Sequence, residues 1–218
     1  MTTSIPVWDW PLRLFHWLLA LAVTGAYLTG SLGGSLTDWH NHFGKLTVGL
    51  LVFRLIWGFA GNSHARFANF LPTPANISRY LNGEWREHGH NPLGAMAVFT
   101  ILMLLTTLAL TGLFANDDIG FEGPLYALVD KAFSDKLSGW HDSLVTPLLI
   151  LLGLHLSAIS FYHFAKGIDL IKPMLTGNKQ VNHQTPPQVS VQGADGLTIL
   201  GALVLPVLLT ALIWHGAG

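Results

Sequence analysis

Four histidines carry the chemistry open to this chain. His141 and His155 lie 14 residues apart in one apolar tract. At about 100° and about 1.5 Å per residue, they fall within about 40° of one helical face and roughly 21 Å apart along its axis. His16 opens an earlier tract in RLFHW, and His40 opens another in WHNHFGKL. Neutral imidazole is the commonest protein ligand for a transition metal. A helix face with one imidazole near each end, and two more at the heads of other segments, is therefore a pattern for two separate ligand pairs. The chain has no cysteine, which excludes disulfides, thiolate-held iron–sulfur or zinc sites, and covalent haem attachment through a Cys-x-x-Cys-His motif.

The elements that must position these side chains are membrane helices. Half of the 218 residues are hydrophobic and only 11% are charged, a composition unlike that of a soluble domain. Five apolar stretches, at 12–34, 41–60, 93–115, 143–165 and 197–214, are long enough to cross a bilayer at about 20 residues per span. The first is expected to be retained, because it lacks a basic leader and a small-residue cleavage site. The fold class expected is all-α integral membrane: a four-helix transmembrane bundle over residues 1–176, a polar linker at 177–196 rich in Gly, Pro and Gln, and one C-terminal transmembrane helix at 197–218. A net charge of −1 gives no sign of a nucleic-acid partner; the surrounding partner is membrane lipid.

Loop charge orients the bundle. Arg13, Arg66, Arg79 and Arg86, with Lys166, Lys172 and Lys179, collect on one side. The 116–140 segment sets Asp117, Asp118, Glu122, Asp130 and Asp135 against Lys131 and Lys136. The positive-inside rule then puts the N-terminus in the cytoplasm of a bacterial inner membrane. PTPANISRYLNG and GPLYALVDKAF read as short surface helices. Pro11 and Pro92 suit first helical turns, with Asn91 as a cap, and Pro147 and Pro206 fall within spans and are expected to kink them.

This topology pairs His16 with His155 on the inner side and His40 with His141 on the outer side. Two imidazoles from different helices, with no acid or thiol beside them, suit the axial positions of haem iron, whose apolar macrocycle fits between helices. The alternative is structural or interfacial histidines. Arg54, also 14 residues after His40, should share that face at the inner level, where a buried guanidinium needs an anion such as a haem propionate; Arg13 offers a second. The plainer reading is that Arg54 snorkels to the surface. His42 should point about 200° away from His40. Gly44, four residues after His40, would let a flat ring approach, or would serve ordinary small-residue packing. His64, His88, His90, His163, His183 and His215 read as solvated or capping residues.

RLFHW (13–17), WHNHFGKLTVGLLVFRLIWGFAG (39–61), GHNPLGAM (89–96), WHDSL (140–144) and LGLHLSA (152–158) together resemble the bacterial cytochrome b561-type family, over about residues 7–180. That family includes the b-type subunit of nickel–iron hydrogenases and b-type partners of di-haem cytochromes c. The resemblance implies two non-covalent b haems, with His16, His40, His141 and His155 matching the axial ligands and Gly44 completing the His-x-x-x-Gly motif. His42 is a departure, a second histidine beside the expected ligand.

The function expected is transmembrane electron transfer between a quinone pool, ubiquinone or menaquinone, and a redox partner such as a cytochrome c or a hydrogenase. One alternative is a superoxide oxidase that reduces ubiquinone, although an acidic outer loop favours a cationic protein over an anionic substrate. The other is a non-haem histidine-based transporter or scaffold, which the absence of mid-span acids disfavours.

Overall fold

The computed structural model describes residues 2–85, 89–182 and 193–215; Arg86, His88 and His183 lie outside the described residues. Five helices are long and apolar enough to cross a membrane: α1 (Trp10–Leu32), α2 (Thr37–Ala60), α4 (Pro92–Leu113), α5 (Lys131–Lys166) and α7 (Gly196–His215). The chain is an all-α integral membrane protein. Two short helices, α3 (Pro74–Leu81) and α6 (Ile171–Thr176), and a two-stranded antiparallel sheet, β1 (Thr2–Pro6) with β2 (Asn178–Asn182), complete the described structure beside a few 3₁₀ turns.

The helix starts follow from local chemistry. Asp9 accepts a hydrogen bond from Leu12 N (2.8 Å) ahead of Pro11. Asn91 accepts one from Gly94 N (2.7 Å) ahead of Pro92, and Thr73 one from Asn76 N (3.2 Å) ahead of Pro74. Each pairs a side-chain acceptor with a proline whose missing N–H would have had no helical partner.

Three expectations are revised. The fourth span begins at Lys131, not 143, because Asp130 caps it through Phe133 N (2.9 Å) and the Lys131–Asp135 pair (2.8 Å) supports its first turns. At 36 residues, α5 is far longer than a bilayer requires. Only a 3₁₀ turn, Tyr126–Leu128, remains of the outer surface helix.

Residues 178–182, in the expected linker, are a strand paired residue for residue with β1, from Thr3↔Val181 to Pro6↔Asn178. Val7 N and Trp8 N both donate to Gly177 O (2.8 and 3.1 Å). Gly177 has φ +85°, and a Cβ there would lie 2.7 Å from Trp8 O, so this turn requires glycine. The pairing partner sits at the opposite end of the chain, so composition around 180 could not reveal it.

α1 packs on α2 and α4 on α5, while α2 meets α4 on one side and α7 on another. One core cluster gathers Leu12, Phe15, Ala22, Leu50, Phe53, Trp57 and Ala202; a second gathers Leu105, Leu108 and Leu148. Large apolar side chains on the outer faces, such as Leu154, Leu156 and Leu208, are exposed, as lipid-facing positions must be. The two helix pairs leave a cleft between them, with α5 facing both α1 and α2.

Candidate functional site: two histidine pairs between the helix pairs

The end of the bundle that carries the N-terminus is called proximal here, the other distal. At the distal end His40 projects from α2 and His141 from α5, with ring centroids 6.0 Å apart and ring planes at 87°. His40 Nδ1 lies 2.8 Å from Ala26 O of α1, and His141 Nδ1 lies 2.9 Å from Leu108 O of α4. A carbonyl can only accept, so Nδ1 carries the proton in both rings and Nε2 keeps its lone pair. Each helix pair thus supplies one histidine and the carbonyl that orients it, the arrangement usual behind metal-bound imidazoles.

Glycines make room for these rings. A Cβ at Gly30 would come 2.7 Å from His40 Nδ1, and one at Gly112 would come 3.0 Å from His141 Cε1. Gly44 meets nothing within 4 Å and opens on the space between the helices. That space is a cavity of about 890 Å³ lined by both histidines, Gly44, Val48, Leu105 and Leu148, among others. This volume lies toward the upper end of the usual range for cofactor pockets. A ring separation of 6.0 Å would let both imidazoles reach one metal ion between them. The distal residues fit a planar metal macrocycle.

At the proximal end His16 of α1 and His155 of α5 lie within electrostatic range of each other. His16 Nδ1 is buried and has no hydrogen-bond partner among the described residues, and the ring stands edge-on to Trp17 at 5.0 Å. Arg54 is only 3% exposed, which excludes snorkelling. Its guanidinium lies 4.3 Å over the Phe67 ring, and Nη1 is buried without a hydrogen-bond partner among the described residues.

Sequence reasoning missed the nearest counter-charge, Asp9, which is within electrostatic range of Arg54. Asp9 Oδ2 accepts from Trp57 Nε1 at 3.0 Å while Oδ1 caps α1. Burial pushes the Asp9 carboxyl up, and these hydrogen bonds with the Arg54 charge pull it back. Neither its cap of α1 nor its second oxygen, aimed at α2, was read from the sequence.

Arg13 has a different neighbour from the one expected. Its Nη1 donates to Leu175 O, and Trp17 Nε1 donates to Met174 O (3.3 Å), so this turn of α1 holds α6 in place. Arg13 Nε remains buried and without a partner among the described residues. His42 is exposed, edge-on to Trp39 at 5.8 Å, and turned from the distal cavity as the helical angle required.

His90 was expected to be a solvated or capping residue; it is half-buried. Its ring sits between Trp8 (4.6 Å) and Phe70 (4.9 Å), within electrostatic range of Arg54, His64, His155 and His16. The legible signal was its position directly before the α4 cap, where the chain must cross the end of the bundle. Burial first, then the Arg54 charge, pushes its pKa down to about 3. Between about pH 6.5 and that value the unfolded chain binds a proton that the fold refuses, so stability is present above pH 6.5 and is lost as pH falls toward 3. Thermal unfolding in detergent should therefore fall in midpoint from pH 7.5 to pH 5. His90→Gln should flatten that decline; an equal decline in the variant would assign it elsewhere.

Among the described residues no three His, Cys, Asp or Glu side chains gather to hold a metal ion by themselves. Two imidazoles facing one cavity suit a ligand that brings further donors of its own. Residues 7–177 match the family described as prokaryotic cytochrome b561. Similar proteins include a probable Ni/Fe-hydrogenase B-type cytochrome subunit of Rhizobium leguminosarum bv. viciae, 25% identical over 221 residues covering 81% of this chain and 89% of that one. Counterparts of the same description occur in Azotobacter chroococcum mcd 1 (27% identical, 63% of this chain and 67% of that one) and Rhodobacter capsulatus (30% identical, 63% and 62%). No solved structure matches the chain. Five apolar helices, paired histidines across the bundle and a match over most of its length lead to one conclusion: this chain belongs to the prokaryotic cytochrome b561 family, the membrane electron-transfer cytochromes that carry b-type haem.

Proposed function

We propose that this chain moves electrons across the bilayer through two b-type haems. His40 and His141 would hold one, and His16 and His155 the other. The observation that carries the reading is the distal pair: two Nε2 lone pairs left free by carbonyl-tied Nδ1 atoms, rings 6.0 Å apart, on a cavity of about 890 Å³. A haem held by two imidazoles would supply a one-electron couple, which suits electron transfer rather than oxygen binding.

The protein's part is to fix the imidazoles, exclude water with the α1, α2, α4 and α5 side chains, and place charge. Arg54, with its unpartnered buried nitrogen, and Arg13, through Nε, are the groups suited to propionates at the proximal site. The basic residues of the proximal loops support a cytoplasmic side for that end and the N-terminus, in a bacterial inner membrane. The names of the relatives support a hydrogenase as the redox partner, with a cytochrome c as the other candidate and a quinone at the opposite terminus of the path. Asp117 and Asp142 line the distal cavity, which favours a cationic protein there over superoxide.

The direct test is haem analysis of the chain purified after haem-replete expression. The expected result is about two non-covalent, low-spin b haems per chain by pyridine haemochrome and electron paramagnetic resonance. A chain that purifies with zinc and no iron would overturn the reading.

A further inference from the structure

The C-terminal helix lies beyond the family match, which ends at residue 177, yet it reaches the distal cavity. α7 packs along α2, with Ala202 in the core cluster of Leu50, Phe53 and Trp57, and Thr210 buried at the level of Gly49. At its far end Trp214 lines the same cavity as His40, Asn41 and Gly44. Its indole Nε1 donates to Asn41 Oδ1 at 3.1 Å, and Lys45 Nζ sits 5.7 Å over the ring.

α2 is led in by a 3₁₀ turn, Gly34–Leu36, rather than by a side-chain cap: the Thr37 N–H donates to Gly34 O, and Leu36 makes no side-chain capping bond. His40 lies in the opening turn of α2. The bond from His40 to Ala26 O ties it to α1 on one side; the Trp214–Asn41 bond, one residue along, ties the same turn to α7 on the other. Loss of either tie would loosen the turn that carries His40.

We propose that Trp214 is a positioning residue for the distal haem: it clamps the His40 turn through Asn41 and walls the cavity on the α7 side. This rests on the two-haem reading above. A cytochrome of this family with the clamp holds His40 in register before the cofactor arrives; without it, the distal imidazole loses its preorganised place while the proximal pair, at the other end of the bundle, keeps its own.

The test uses the full chain in detergent, with haem content, paramagnetic resonance and redox titration as readouts, and the proximal haem as the internal control for folding. Trp214→Ala should bring haem content from about two per chain toward one, leaving the spectrum of the proximal site. Trp214→Phe, which keeps the bulk and removes the donor, should retain both haems but shift the distal signal and its midpoint, and Asn41→Ala should reproduce that shift. An unchanged distal signal in Trp214→Ala and Asn41→Ala overturns the inference. So does loss of both haems in Trp214→Ala alongside an unaltered Trp214→Phe, which would make α7 general packing. A wild-type chain carrying one haem removes the two-haem reading and this inference with it.

Discussion

Replacing His141 with alanine is expected to halve haem content and to spare the proximal site. Among the described residues the ring supplies one of the two imidazoles on the distal cavity, and its orientation comes from Leu108 O and the space at Gly112. No other described His, Cys, Asp or Glu side chain joins a ligating cluster there, so nothing takes its place, and His40 alone cannot hold a six-coordinate low-spin iron. His155→Ala should do the reverse, emptying the proximal site. With the two positions roughly 21 Å apart along α5, the losses should be independent, and the double variant should retain almost no haem. His42→Ala should retain both haems, because that ring is exposed and turned to Trp39. Pyridine haemochrome counts with low-temperature resonance spectra check each case. Equal haem in wild type and His141→Ala would remove the distal assignment, and loss of a haem in His42→Ala would move the α2 ligand by two residues.

Legibility followed the range of the interactions. Spans, the Asn91 cap and the register of His141 to His155 depend on residues within a few turns of one another, and periodicity with Asn and Pro at helix starts was enough to read them. The early start of α5 needed only Asp130 and the Lys131–Asp135 spacing, but the charge there reads equally as a loop. What stayed hidden spans the chain. The β1–β2 pairing joins residues near 5 to residues near 180, the Trp57 indole reaches across to Asp9, and Trp214 reaches Asn41.

His90 shows the same limit in a single residue. Its sequence neighbours are polar loop residues, while its spatial neighbours are Trp8 and Phe70 from two distant segments. Arg54 was the intermediate case: helical spacing gave its level and face, but not the carboxylate that shares its surroundings. That carboxylate changes what the arginine is for. A guanidinium wholly neutralised by Asp9 would be structural, whereas one that keeps a buried nitrogen unbonded holds donor capacity for a second anion.

Arg54→Leu therefore tests both halves of that statement. Removing a buried positive charge beside the proximal pair should favour the oxidised, more positive haem and lower its midpoint potential. A Coulomb interaction at roughly 10 Å and an effective dielectric of about 20 sets the scale at on the order of 50–100 mV for a one-electron couple. The distal midpoint should stay in place, because it lies most of a bilayer away. Asp9→Asn removes the opposing charge and should move the proximal midpoint upward; the double variant should return toward wild type, since the two charges act on the same haem with opposite sign. Arg54→Lys separates charge from geometry: it keeps the cation but loses the planar fork, so it should retain most of the potential while binding the proximal haem less firmly. Redox titration of the two resolved haems reads all four variants. A proximal midpoint unmoved in Arg54→Leu would leave the guanidinium to the Asp9–Trp57 network alone and remove its propionate role.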